Sequence, residues 1–80
     1  MMERASLRSV VREIVTEAAG HRVEDCEPIV SSGLIDSLSV IQLIARLEQR
    51  LNATIPPANL QPGDFDSVDL IVELLEREAR

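Results

Sequence analysis

SLSVIQLIARLEQRLN, residues Ser37 to Asn52, is the stretch whose reading decides the fold. Its aliphatics fall at Val40, Ile41, Leu43, Ile44, Leu47 and Leu51, the three-and-four spacing that puts them on one side of a helix. Gln42, Arg46, Gln49 and Arg50 take the other side. Asn52-Ala53 stops the pattern, and Pro56-Pro57 forbids its continuation. Upstream, Leu7, Val10, Val11, Ile14, Val15 and Ala18 repeat the spacing from Glu3 to Ala19, with Arg4, Arg8, Arg12, Glu13 and Glu17 outward and Gly20 as the stop. Downstream, Val68, Ile71, Val72, Leu74 and Leu75 predict a third helix over Ser67 to Glu78, capped by Asp66 or Ser67. Pro62 to Phe65 predicts one short helical turn before it. No segment alternates with a period of two. The expected fold is all-α, a small bundle of three main helices and a short fourth.

Composition narrows what such a bundle can do. Eighty residues with 45% hydrophobic side chains fit one domain over 1–80. A single cysteine, Cys26, excludes an internal disulfide, and with His21 it supplies too few ligands for structural zinc. Aliphatic packing must therefore carry the core. Phe65 is the only aromatic, which leaves no platform for stacking bases, and a net charge of −6 repels phosphate backbones. No nucleic-acid partner is expected. Apolar runs such as Leu70-Ile71-Val72 fall far short of the roughly 18 residues of a membrane span. The start lacks the apolar stretch of a secretory signal, and a free thiol suits a reducing compartment, so a cytoplasmic location and a monomer are expected.

The segment from Gly20 to Asp36 is long for a connection between bundle helices, and long connections tend to be functional. Pro28, Ser31, Ser32 and Gly33 break helices there, while Val23, Ile29, Val30, Leu34 and Ile35 are expected to pin it to the bundle. The loop delivers the start of the second helix, where Gly33-Leu34-Ile35-Asp36-Ser37-Leu38 stands.

This hexapeptide, the aliphatic helix after it, Ile55-Pro56 and the run Phe65-Asp66-Ser67-Val68 together resemble the acyl carrier and peptidyl carrier protein family. The stretch looks most like discrete carriers of D-alanyl, aminoacyl or nonribosomal type. The resemblance implies that Ser37 carries 4'-phosphopantetheine from coenzyme A, attached by a phosphopantetheinyl transferase that recognises Asp36 and Leu38. It also implies a stand-alone carrier without catalysis, which shuttles acyl or aminoacyl thioesters between a loading ligase or synthase and later enzymes. A helix start suits a phosphodiester, because its N–H groups are unpaired and its dipole is positive. The bland alternative is an unmodified helical interaction module in which Ser37 is only a cap, or Ser39 and Gln42 form a capping box.

Charge refines the resemblance. Net charge is zero over 1–19, −3 over 20–36, +1 over 37–52 and −4 over 53–80. Fatty-acid-synthase carriers have an acidic helix after the modified serine, whereas this one holds Glu48 against Arg46 and Arg50. A secondary-metabolic, nonribosomal or aminoacyl pathway is therefore expected over fatty-acid synthesis, with the two arginines deterring fatty-acid enzymes. Partners are expected to read the helix through Ser39, Val40, Gln42 and Leu43. Cys26 and His21 lack an orienting third group for nucleophilic chemistry, and no metal site is expected. Asp64, Asp66, Asp69, Glu73, Glu76 and Glu78 read as a solvated face.

Overall fold

In the computed structural model, which describes residues 4–56 and 60–78, the chain forms α1 (Arg4–Ala19), α2 (Ser37–Leu51), a 3-10 turn (Pro62–Phe65) and α3 (Val68–Glu78). Among the described residues there is no strand, as the absence of two-residue alternation required. Glu3 and Pro57 lie outside the described residues, as does the side chain of Arg4. The helix stops follow from backbone chemistry. Gly20 has φ +83 and Asn52 φ +50, the left-handed region that glycine and asparagine tolerate best.

One core joins the helices. Val11, Ile14 and Val15 of α1 meet Leu43 and Leu47 of α2 and Val68, Ile71, Val72, Leu74 and Leu75 of α3. Phe65, the lone aromatic, is buried with them, and Val23, Ile29 and Ile35 bring the long loop into the same cluster. The expected inward faces of α1 and α3 and the pinning of the loop are as observed. The face of α2 needs one correction: Ile41 points outward and is 63% exposed, because the stripe facing the bundle is centred on Leu43 and Leu47. Leu43 is fully buried and Val40 half-buried, so neither forms the outer docking face expected of them.

Ion pairs hold the helices from outside. Arg46 pairs with Glu17 and Arg50 with Glu13, so residue numbers rise on α1 as they fall on α2 and the two helices run antiparallel. On α1's other side Arg8 bridges Asp25 of the loop and Asp69 of α3, while Arg12 makes two 2.8 Å bonds to Asp25. The Arg12 guanidinium, with Arg8 behind it, holds the Asp25 carboxyl below the usual carboxylate range.

Asp66 ties the loop to the start of α3. Its carboxylate accepts the N–H groups of Val30 and Ser31 and the Ser31 hydroxyl, each at 2.8 Å, and its carbonyl accepts the Ile29 N–H at 2.8 Å. These donors, the Ser31 N–H foremost, hold its carboxyl below the ordinary range. The cap of α3 is then Ser67, whose Oγ accepts the Leu70 N–H at 3.1 Å. The turn closes where the Gly33 N–H reaches the Val30 carbonyl, with Gly33 at φ +82, and the Ile35 N–H returns to the Ile29 carbonyl.

Two stability measurements test this packing. Leu47→Ala, at a site with no exposed surface, is expected to lower unfolding free energy by about 2–5 kcal/mol in urea titrations. Asp66→Asn is expected to cost about 1–3 kcal/mol near neutral pH. Because the folded Asp66 carboxyl ionises below its unfolded value, its contribution is complete above about pH 4 and is lost as pH falls through the folded value. Titrations repeated between about pH 5 and pH 3 should therefore show a steeper acid loss for the parent than for Asp66→Asn. Parallel acid profiles would count against the anchor.

Candidate functional site

The start of α2 is built by the residue before it. Asp36 is extended, with φ −89 and ψ 177, and its Oδ1 accepts the Ser39 N–H at 2.8 Å while its carbonyl accepts the Val40 N–H at 3.0 Å. Asp36 is thus the N-cap. The Ser39 N–H first, then the Ser39 hydroxyl, hold its carboxyl below the usual range, and the positive helix end favours the same charge. Ser39, in the third position of the helix, cannot cap it, so the expected Ser39–Gln42 capping box does not form.

Ser37 takes no part in the cap. It is the first residue of α2, exposed, and its hydroxyl makes no hydrogen bond with any described residue. The cap reading of Ser37 is therefore corrected: the capping role belongs to Asp36. The hydroxyl stands at the rim of the helix start and is not committed to the fold. Beside it Leu38 is 65% exposed, and Ile41 extends that apolar surface one turn down the helix. Glu48, half-buried two turns further along α2 from Ile41, accepts the Ile55 N–H at 2.8 Å.

The remaining candidates stand apart from this end of α2. Cys26 is exposed and lines a crevice of about 250 Å³ with Arg12, Arg22, Val23, Glu24, Asp25 and Asp69. His21 is not in that lining and its Nδ1 lies 3.0 Å from the Arg22 carbonyl oxygen, so the structure does not bring the two together as thiol and base. The acids of the C-terminal third are not one solvated face. Asp66 holds the loop, Asp69 pairs with Arg8, and Asp64 lies 3.7 Å from Arg77 and accepts the Gln61 N–H. Among the described residues no group of three or more His, Cys, Asp or Glu is arranged to hold a metal, and no helix is long and apolar enough to cross a membrane.

Sequence reading missed Asp66 as a loop anchor and Glu13 and Glu17 as the partners of Arg50 and Arg46. The signal available for the latter was the matched four-residue spacing, 13 and 17 on one helix and 46 and 50 on the other. It becomes meaningful only once the helices are known to be antiparallel.

Comparison with known proteins identifies the family. The family described as "Phosphopantetheine attachment site" matches residues 7–75. The D-alanyl carrier protein of Streptococcus suis (strain 98HAH33) is 24% identical over 67 residues, covering 84% of this chain and 82% of that protein. Those of Streptococcus sanguinis (strain SK36) and Streptococcus mutans serotype c are 29% and 28% identical over 69 residues, each covering 84% of this chain and 87% of the relative. Proteins of this kind are not catalysts, and hold 4'-phosphopantetheine covalently. By a match that spans all three helices and the loop between the first two, this chain belongs to the phosphopantetheine attachment-site family of carrier proteins.

Proposed function

We propose that Ser37 is the attachment residue, and that the chain is a discrete carrier of aminoacyl type. The observation that carries the first part is the separation of roles at the start of α2. Asp36 caps the helix, and the next hydroxyl, on Ser37, is exposed and unbonded. A transferase can take that hydroxyl's proton and join its oxygen to the pantetheine-side phosphorus of coenzyme A, breaking the pyrophosphate bond and releasing adenosine 3',5'-bisphosphate, without disturbing any contact of the fold. When attached, the arm supplies a thiol that carries the cargo as a thioester. Asp36, with its carboxylate held by α2, and Leu38, projecting beside Ser37, form the surface the transferase recognises.

The cargo class is supported by the D-alanyl carrier relatives and by charge. An aminoacyl-loading ligase and a downstream acceptor enzyme are the corresponding partners, and a nonribosomal or other secondary pathway would use the same surface. Arg46 and Arg50 do not act as a free positive patch, as their sequence positions suggested, because Glu17 and Glu13 neutralise them. The outer face of α2 is accordingly neutral, formed by Leu38, Ile41, Gln42, Ala45 and Gln49, all exposed. A partner that clamps an acidic helix finds nothing there to hold.

Three outcomes follow. Incubated with a promiscuous transferase and coenzyme A, the parent should gain the mass of the arm and Ser37→Ala should not; a gain that persists or moves to Ser39 would refute the assignment. Because Asp36 supplies the cap, Ser37→Ala should alter stability by no more than about 0.5 kcal/mol, whereas Asp36→Ala should lose about 1 kcal/mol of stability as well as labelling. For the partner class, a fatty-acid malonyl transferase should load the modified protein poorly. Gln42→Glu with Gln49→Glu, which makes the outer face acidic while leaving Arg46, Arg50, Glu13 and Glu17 in place, should raise that rate at low salt and lose the gain at high salt. Loading of the parent as fast as an authentic fatty-acid carrier would return the cargo to acyl chains.

A further inference from the structure

Burial fixes α2 only from its second turn onward. Leu43 and Leu47 lie in the core and the pairs to α1 are made by Arg46 and Arg50, whereas Ser37 and Leu38 are exposed and Ser39 and Val40 only half-buried. The first turn, which bears Ser37, therefore takes its direction from the chain that leads into it. Ile35 is buried just before it, but apolar burial is non-directional and leaves a short segment free to tilt. Hydrogen bonds set the direction.

Those bonds converge on Asp66. Its carbonyl accepts the Ile29 N–H, and the Ile29 carbonyl in turn accepts the Ile35 N–H, each at 2.8 Å. Two bonds in series thus link the lead into α3 to the residue before Asp36. The Asp66 Oδ1 accepts the N–H groups of Val30 and Ser31, and its Oδ2 accepts the Ser31 hydroxyl. Among the described residues, every other hydrogen bond of residues 30–34 stays inside the loop: the Ser32 hydroxyl to the Pro28 carbonyl, the Gly33 N–H to the Val30 carbonyl and the Leu34 N–H to the Ser32 Oγ. Ser31, Ser32 and Gly33 are exposed, so no core contact of theirs replaces the Asp66 carboxylate.

We infer that Asp66 is a positioning residue for the modification of Ser37: by clasping residues 29–31 it fixes the approach to α2 and presents Asp36, Ser37 and Leu38 in the arrangement a transferase binds. The inference rests on the attachment of the arm at Ser37. Asp66 makes no hydrogen bond to Ser37 and acts through the loop. Without the clasp the segment samples other arrangements, and apparent affinity for a partner falls by the fraction of molecules that hold the binding one. The loss falls on KM rather than kcat, because a bound segment has been returned to its working arrangement.

Three full-length variants test this. Asp66→Ala removes the side-chain bonds and leaves the backbone bond to Ile29. Asp66→Asn keeps the shape, since its carbonyl oxygen can take both N–H groups and its amide can donate to the Ser31 hydroxyl, reversing that bond. Val72→Ala, a core change on α3, controls for lost stability alone. Each is modified by a promiscuous transferase with coenzyme A at a temperature where circular dichroism shows it fully folded, with mass spectrometry locating the product. KM for Asp66→Ala should rise about tenfold with kcat within about twofold, Asp66→Asn should stay within about threefold of the parent KM, and Val72→Ala should match the parent. In isotope-labelled unmodified protein, the amide signals of residues 35–38 should move in Asp66→Ala and hold their places in Val72→Ala. A folded Asp66→Ala with the parent's KM overturns the inference and leaves the attachment reading standing, as does a Val72→Ala KM raised to the same extent. If Asp66→Ala does not fold, Asp66→Glu, which keeps the charge and carries the acceptors one methylene further, takes its place: a raised KM supports the clasp and a parent KM overturns it. A parent protein that gains no arm at Ser37 removes the attachment reading, and this role of Asp66 with it.

Discussion

The carboxylate of Asp66 stands at the junction on which the arrangement depends. A connection as long as residues 20–36 has backbone groups that helices cannot satisfy, and a buried N–H without a partner costs more than a typical hydrogen bond contributes. Asp66 meets this problem from the far end of the chain. Its two carboxylate oxygens take two N–H groups and one hydroxyl, and its carbonyl takes a third N–H. With the loop fixed there, Gly33 can turn the chain at positive φ and Ile35 can enter the core. Asp36 then arrives extended at the head of α2. The start of one helix is thus placed by the residue that leads into another, thirty positions later.

The physical division of labour at that start is equally simple. Capping a helix requires an acceptor aimed at the first free N–H groups, and an attachment site requires a hydroxyl aimed away from them. One side chain cannot serve both without losing the cap when it is modified. Adjacent residues can, because helix and loop conformations meet between Asp36 and Ser37 and send their side chains in different directions. The capping bonds hold the Asp36 carboxyl below the usual carboxylate range, so the surface beside Ser37 carries a negative group at neutral pH.

Helix periodicity made most of this legible. Val68, Ile71, Val72, Leu74 and Leu75 could be assigned to the core from spacing alone, since each sits on a stripe wide enough to survive small errors of angle. Ile41 could not. It lies at the edge of the stripe of α2, and whether an edge residue is covered depends on where the neighbouring helices cross, which spacing does not encode. The hexapeptide ending in Leu38 identified the family, but the same letters could not say which of Asp36, Ser37 and Ser39 caps, because all three are good capping residues. Nor could they distinguish a solvated acid from an anchoring one: Asp66 and Glu73 look alike until residue 66 is found beside residue 31.

The two ion pairs between α1 and α2 separate the charges that hold this bundle from those it shows to others. Positions 46 and 50 are bound to their opposite numbers on α1, so a change of sign at either would set like charges face to face. Positions 41, 45 and 49 carry no such obligation. Selection can therefore alter the outer face of α2 residue by residue, trading one set of client enzymes for another, while the register of the helices is preserved. A scaffold wired in this way can diverge in specificity faster than it diverges in shape.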